Sequence, residues 1–396
     1  MVLAALKPPP LRPPRESDFT SHLRSPAVAA RVGRVLGISF GICFVTGLIS
    51  HWSQNPDAWF FVPTSPSWGY RVTQGLHVIS GTAAIPLLFV KLWAVFPKLF
   101  AGLPDLRKPK AALLDGLERA SIAVLVASAI FMLASGLANT AHWYPWNFHF
   151  RATHYAIAWV AIGALLVHIA VKLPVIRDAL RSDIDDAAHD RPSASPIADG
   201  MTRRGLVRTA WVASAVAVLA SAGQTVPLLR KVSVFGVRDG SGPQGIPINK
   251  SARAAQVIAL ATSASYALTI ANGGREVTLT ADQLMNLPHR TEGLPIACVE
   301  GWSAHGTWTG VRMRDLLDLV GAPRGSDIKV VSLQPSGPYR QTFLPHNFAD
   351  DDRTLLATHL EGERLSIDHG FPARVIAPNR PGVLQTKWVS RLEVIA

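Results

Sequence analysis

The chain has 396 residues, room for two or three domains; 48% of them are hydrophobic and only 17% charged. Soluble domains usually carry about a quarter charged residues, so this deficit excludes a disordered chain and a coiled coil and makes a polytopic membrane protein the leading expectation. Two cysteines exclude a disulfide scaffold, and the net charge of +12 is not grouped as a nucleic-acid-binding face would need, so no nucleic-acid partner is expected.

Cutting the sequence at its charges leaves uncharged apolar runs at Val35 to Asn55, Val72 to Val90, Ala120 to Phe150, Ala152 to Val171 and Thr209 to Leu229. About 20 apolar residues cross a bilayer core, so these runs predict five spanning helices. The third run is broken by the aromatic, Pro-containing stretch from His142 to Asn147 and is expected to end near Ala141. Basic residues near span ends stay on the cytoplasmic side. Lys and Arg crowd the segments before helix one, between helices two and three, and between helices four and five, whereas Ser53 to Tyr70 and His142 to Phe150 have none. The N-terminus is therefore expected in the cytoplasm of a bacterial cell, with everything after Arg230 outside.

The expected organisation is a cytoplasmic Pro-rich tail (1–30), a four-helix membrane domain (31–175), an acidic cytoplasmic linker (176–204), a fifth helix acting as a tether (205–230) and an exported domain (231–396). Arg203-Arg204, followed by Gly205-Leu206-Val207-Arg208, resembles a twin-arginine export signal; paired arginines before a span also follow from the orientation rule alone.

Ionisable residues inside spans point to function. His77 falls in helix two, and His154 and His168 in helix four, fourteen residues or about 21 Å apart on one face. His77 and His154 lie at similar depth near the outer leaflet, where two imidazoles from different helices can share a haem iron; the alternative is interhelical hydrogen bonding. Residues 30 to 175 resemble the cytochrome b anchors of formate dehydrogenases and hydrogenases, whose fourth helix carries one histidine per haem. Here Gly33-Arg34 and Lys91 stand where a partner for His168 would be, so one outer b haem is expected, and His168 is left as a second haem ligand or quinone-site residue.

After Lys231 the pattern turns to short strands. Ala267 to Ile270 and Val277 to Thr280 flank Asn272-Gly273-Gly274, a hairpin signal; Thr280 with Gln283 forms a capping box opening a short helix. Arg312 to Val320 reads as an amphipathic helix stopped by Gly321, and Lys329 to Leu333, Ala373 to Ala377 and Val389 to Ile395 read as strands. The fold class expected is multidomain: an all-α transmembrane bundle of four helices plus a fifth tether helix, then a mixed α+β domain.

That domain's one cysteine is Cys298, in Cys298-Val299-Glu300-Gly301-Trp302-Ser303. A lone thiol is usually buried and inert, but here an apolar strand leads into Gly301 and the tryptophan pair Trp302 and Trp308, which places the thiol at a strand end beside a loop that a soft metal could reach. This segment, together with Asp368-His369-Gly370-Phe371-Pro372-Ala373-Arg374 and Gly382-Val383-Leu384-Gln385-Thr386-Lys387-Trp388, resembles the sulfite oxidase family, especially its periplasmic protein-methionine-sulfoxide reductases, over about residues 234 to 396. The resemblance implies a sulfite-oxidase-type molybdopterin fold. Cys298 would be the catalytic thiolate ligand of molybdenum, Arg374 and Lys387 the holders of the pterin phosphate with His369 beside it, Asn249 a contact from the N-terminal side, and the backbone of Gly382, Val383, Leu384 and Gln385 a set of amide donors. Gln334-Pro335-Ser336 departs from the family's hydroxyl residue near the metal.

The combined expectation is an enzyme: a membrane-anchored molybdopterin oxidoreductase carrying out two-electron oxygen-atom transfer on a small or protein-bound sulfur or nitrogen oxide, joined to the quinone pool through a b haem. The rival is a haem-free anchor in membrane lipid whose outer domain binds the pterin or another ligand without catalysis.

Overall fold

A computed structural model gives the fold over residues 13–55, 62–102, 107–188, 190, 194, 200–236 and 242–395. The first twelve residues of the Pro-rich start and most of 191–199 in the expected linker lie outside the described residues.

Four long helices come first: α1 (Pro26–Ser53), α2 (Gly69–Val95), α3 (Pro109–Thr140) and α4 (Phe150–Arg181). They are the four described helices long and apolar enough to cross a membrane. Proline opens α1 and α3, where its missing N–H is no loss. Hydroxyls within them turn back on their own helix, as Thr46 Oγ1 does to Ile42 O at 2.6 Å and Ser80 Oγ to Leu76 O at 2.7 Å, which satisfies them without water. Each helix overruns its apolar sequence run because flanking Lys and Arg are good helix formers that can reach the interface on long stems.

Of the five expected spans, four are long and apolar enough among the described helices. A fifth helix, α5 (Arg203–Ser221), is present, but Arg203, Arg204 and Arg208 occupy its first turns. The apolar remainder from Thr209 is roughly 20 Å long against a hydrocarbon core of about 30 Å.

Two compact units divide the chain, and the division runs through the helices. The first comprises Met1–Phe40, Ala83–Met132 and Ile157–Val216. Val207 and Ala210 of α5 are buried there with Val28 and Val32 of α1 and Leu87 of α2, and Ser214 Oγ donates to Ala83 O at 2.9 Å. The acidic segment expected to be loose is instead structured where described. Arg203 is buried and donates to His22 O at 3.0 Å, Asp186 O at 3.0 Å and the Asp190 carboxylate, while Arg204 pairs with Asp183 and Asp185. The paired arginines thus serve the fold of this unit.

The second unit comprises Gly41–Thr82, Leu133–Ala156 and Ala217–Ala396. Its α+β part contains, in order, α6 (Ile258–Ala261), β1 (Ala267–Asn272), β2 (Arg275–Thr280), α7 (Ala281–Met285), β3 (Arg290–Ala297), β4 (Ser303–Arg312), α8 (Met313–Asp318), β5 (Asp327–Ser332), β6 (Gln341–Leu344), α9 (His346–Ala349), β7 (Leu355–Leu360), β8 (Glu363–Arg364), β9 (Arg374–Ile376) and β10 (Val389–Ile395). One sheet has the order β2-β1-β10-β5-β6, with β1 parallel to β10 and the other pairs antiparallel; the second runs β3-β4-β7-β8, with β9 also paired to β7.

The hairpin and capping box appear as expected: Thr280 Oγ1 accepts from Gln283 N at 3.2 Å while Gln283 Oε1 accepts from Thr280 N at 2.9 Å. The helix expected from Arg312 to Val320 is shorter, but Leu316, Leu317 and Val320 are buried and Gly321 takes the left-handed conformation (φ +62°) that ends it. Leu268, Ile270, Leu316, Leu317, Ile328 and Leu392 form a core on the first sheet. Within the same unit the α1–α2 loop is pinned to this part: Asn379 Oδ1 accepts from Tyr70 N at 2.5 Å, its Nδ2 donates to Pro63 O at 2.6 Å, and Asn347 Nδ2 donates to Val62 O at 2.8 Å.

Candidate functional site

The edge between β3 and β4 is a tight turn. Cys298 N donates to Trp302 O at 2.9 Å and Gly301 N to Cys298 O at 3.1 Å, with Gly301 at φ +83°. Strand β3 thereby delivers Cys298 to the end of the sheet, 1% exposed, beside a cleft. Asn249, Trp302, His369, Arg374, Gly382 and Lys387 line that cleft with Cys298. Residues from the three motifs that carry the family resemblance therefore meet at one place, with Asn249 beside them.

Its charge is lopsided. Arg374 is 3% exposed, donates to His369 O at 3.1 Å and Gln385 O at 3.2 Å, lies over the Trp308 ring at 5.1 Å, and has its Nε without a hydrogen-bond partner. Burial pulls its pKa down to about 9. Lys387 Nζ donates to Asn249 Oδ1 at 3.2 Å, Lys250 O at 2.5 Å and Asp368 O at 3.0 Å; burial, and after it the Arg374 charge, lower it to about 7. His369 Nε2 faces Pro243 O at 2.7 Å, and burial with Arg374 lowers it to about 4. Among the described residues no carboxylate lines the cleft. Buried cations pushed toward neutrality, one with an unused donor, are what an anionic ligand would restore. The residues present thus fit a pterin phosphate.

The metal donor fits in its own way. Burial and the neighbouring Glu300 carboxylate keep the Cys298 thiol protonated well above its ordinary value, and a bound metal cation would reverse that balance in favour of thiolate. Among the described residues no three His, Cys, Asp or Glu converge on a metal-sized site. A metal held at Cys298 would therefore need its other ligands from outside the described side chains.

Some expected contacts are corrected. Leu384 N donates to Pro381 O at 3.0 Å and Gln385 N to Gly382 O at 3.2 Å, so these two amides close a turn and are not available to a ligand. The Gln385 side chain likewise binds Ala377 N and Arg380 O. Val383 and Leu384 do not line the cleft, whereas Gly382 does, its Cα lying where an added Cβ would come within 2.9 Å of Ala297 O. In the stretch departing from the family pattern, Gln334 Oε1 accepts from Lys250 Nζ at 2.7 Å.

In the helical part of the same unit, the rings of His77 and His154 stand 6.4 Å apart with planes at 69°. His77 Nδ1 meets Cys43 O at 2.9 Å and His154 Nδ1 meets Ser135 Oγ at 2.9 Å, the outer hydrogen bonds that orient metal-bound imidazoles. Gly47 and Gly136 stand against the two rings; a Cβ there would lie 3.2 Å from His77 Cε1 and 3.7 Å from His154 Cε1. His168 belongs to the other unit. There Lys172 pairs with Glu118, and Lys91 Nζ donates to Ala29 O at 2.8 Å.

Sequence reasoning missed the residues that grip the Cys298 turn. Asn139 Nδ2 donates to Val299 O at 3.0 Å, and Glu300 Oε2 accepts from Trp302 Nε1 at 2.9 Å and lies 3.1 Å from His142 Nε2, whose pKa that carboxylate raises. A polar residue within the apolar α3 was the available signal for Asn139. Arg380, also buried and drawn to about 9 by burial, had none.

Residues 254–396 match the family model described as oxidoreductase molybdopterin binding domain. The chain is similar to the mitochondrial sulfite oxidase of Drosophila melanogaster, 33% identical over 155 residues covering 33% of this chain and 27% of the relative. It is also similar to the sulfite oxidase of Arabidopsis thaliana, 31% identical over 24% of this chain and 29% of the relative. A third similarity is to a protein of Azospira oryzae named as a protein-methionine-sulfoxide reductase subunit, YedZ1, 34% identical over 29% of this chain and 43% of the relative. The chain thus spans less than half the length of these relatives. Over its last third the chain thus matches a molybdopterin-binding oxidoreductase domain and is similar there to sulfite oxidases.

Proposed function

We propose that the chain is a membrane-anchored molybdopterin oxidoreductase that moves an oxygen atom, with two electrons, to or from a sulfur or nitrogen oxide outside the cytoplasm. The observation that carries this reading is the cleft joining a buried thiol, Cys298, to a cationic cradle of Arg374 and Lys387 with no acid among the described residues that line it. A molybdenum-pterin bound there supplies the two-electron oxygen-transfer chemistry. Cys298 is the metal's protein ligand. Arg374, through its unpartnered Nε, and Lys387 hold the phosphate; His369 and Asn249 flank the pterin. The buried walls of Trp302 and Ile296 keep water from the metal side.

The coupling to membrane electrons is part of the same proposal. The facing pair His77 and His154 supports a single b haem near the outer ends of α2 and α4, fed by a quinol, with His168 outside that pair. The distribution of Lys and Arg supports an inside N-terminus, and α5, laid along α1 and α2, supports a fifth crossing whose arginines sit at the inner face.

The test is molybdenum per chain, measured with sulfoxide or N-oxide reduction by a dye donor. Cys298→Ser should remain folded and lose turnover, because a hydroxyl is a far poorer donor than thiolate to this metal. Undiminished turnover would return Cys298 to the class of inert buried thiols.

A further inference from the structure

Asn139 in α3 is buried and engaged at both ends: Nδ2 donates to Val299 O at 3.0 Å and Oδ1 accepts from Tyr144 OH at 2.9 Å. One turn earlier on the same face Ser135, also buried, meets His154 Nδ1 at 2.9 Å. Four residues of α3, about 6 Å of rise, therefore separate a contact to the residue after Cys298 from a contact to the candidate haem ligand. The turn itself rests on helix ends: a Cβ at Gly301 would come within 2.9 Å of Val78 Cγ2, on the residue following His77, and 3.1 Å of Thr140 Cγ2. Polar side chains in an apolar helix are costly unless used, and here two in succession point to opposite partners.

We propose that Ser135 and Asn139 form the electron route between His154 and the Cys298 turn, with Asn139 as the positioning residue that holds the turn on α3. This rests on the reading that His77 and His154 hold a haem. In the reductive direction a quinol gives up two electrons and two protons to become a quinone. The electrons pass one at a time along the route; at the Cys298 side two electrons and two protons break the S–O or N–O bond of the oxide, leaving sulfide or amine, and the oxygen departs as water. Electron transfer weakens steeply across van der Waals gaps, and the two hydrogen bonds with one helical turn bridge the interval without one.

The full chain, reduced with a quinol and mixed with a sulfoxide, reports the route through the rate of haem reoxidation. Asn139→Leu keeps the volume and removes both hydrogen bonds; reoxidation should slow roughly 10–100-fold, the usual cost of losing a group that orients a metal site, with haem and molybdenum content retained. Dye-driven turnover, which bypasses the haem, should fall much less. Ser135→Ala should slow reoxidation too, and the double variant should be no slower than the slower single one, as one shared route requires. In protein prepared without molybdenum, Asn139→Leu should speed amide exchange at residues 299–302. Reoxidation at the wild-type rate, effects that multiply in the double variant, dye-driven turnover falling in parallel, or unchanged exchange would each overturn the route. Absence of any haem spectrum in the wild type would instead remove the haem reading on which it rests.

Discussion

Arg374 and Lys387 are held in opposite ways, and their variants should differ accordingly. Arg374→Ala removes a buried charge-assisted donor worth about 1.5–3 kcal/mol, so cofactor affinity should fall roughly ten- to a hundredfold, read as molybdenum and pterin content, while Cys298 keeps its place. Lys387 gives a pH dependence. Its folded value of about 7 lies below its ordinary 10.5, so in the cofactor-free domain its contribution to stability is full above pH 10.5 and is lost as pH falls through about 7. Anion binding favours the ammonium and takes up a proton, so cofactor retention should weaken as pH rises from about 7 to 10.5. Lys387→Met should flatten that slope in an assay of released pterin fluorescence; an equal slope would assign the dependence elsewhere. The sequence made Cys298, Arg374 and Lys387 legible because each sits in a separated motif in order. Asn139 and Arg380 were not legible, since their roles come from partners 160 residues away or from burial that no local pattern encodes.

Elements show the same division between local and distant causes. The β1–β2 hairpin and the capped α7 were readable because turn glycines and a Thr–Gln box act within four residues. Strands β6 and β7 were not singled out, because their exposed and buried positions are fixed by pairing with β5 and β4. Helix α5 was over-read: charge-free length was counted beyond Ser221, where the chain leaves the helix for short 3₁₀ turns. At this scale the turn at Gly301 makes a prediction. Alanine there combines a left-handed φ of +83° with a contact 2.9 Å from Val78, a strain of about 1–3 kcal/mol, and should loosen the Cys298 turn, seen as faster amide exchange over residues 298–302. In the helices, His77→Ala and His154→Ala should each abolish a b-type absorbance, whereas His168→Ala should leave it, because His168 stands outside the facing pair.

For the whole molecule the account joins a membrane unit to a molybdopterin domain, and orientation decides whether the two can work on an external substrate. A reporter active only outside the cytoplasm should work when fused after Pro243 and fail at Asp185; the reverse pattern would place the domain inside, as four crossings without α5 would. The long apolar runs made the four helices legible from sequence, but the division of the chain through them was not, because it depends on loops such as 62–70 docking onto Asn379 and Asn347. The central claim is that electrons entering between His77 and His154 leave at Cys298. It is tested most directly by reducing the purified full chain with a quinol, adding a sulfoxide, and following the haem band in wild type and in Cys298→Ser. The account predicts a haem spectrum in both and reoxidation by substrate in the wild type alone; a chain without haem, or reoxidation that persists at the same rate in Cys298→Ser, would contradict it.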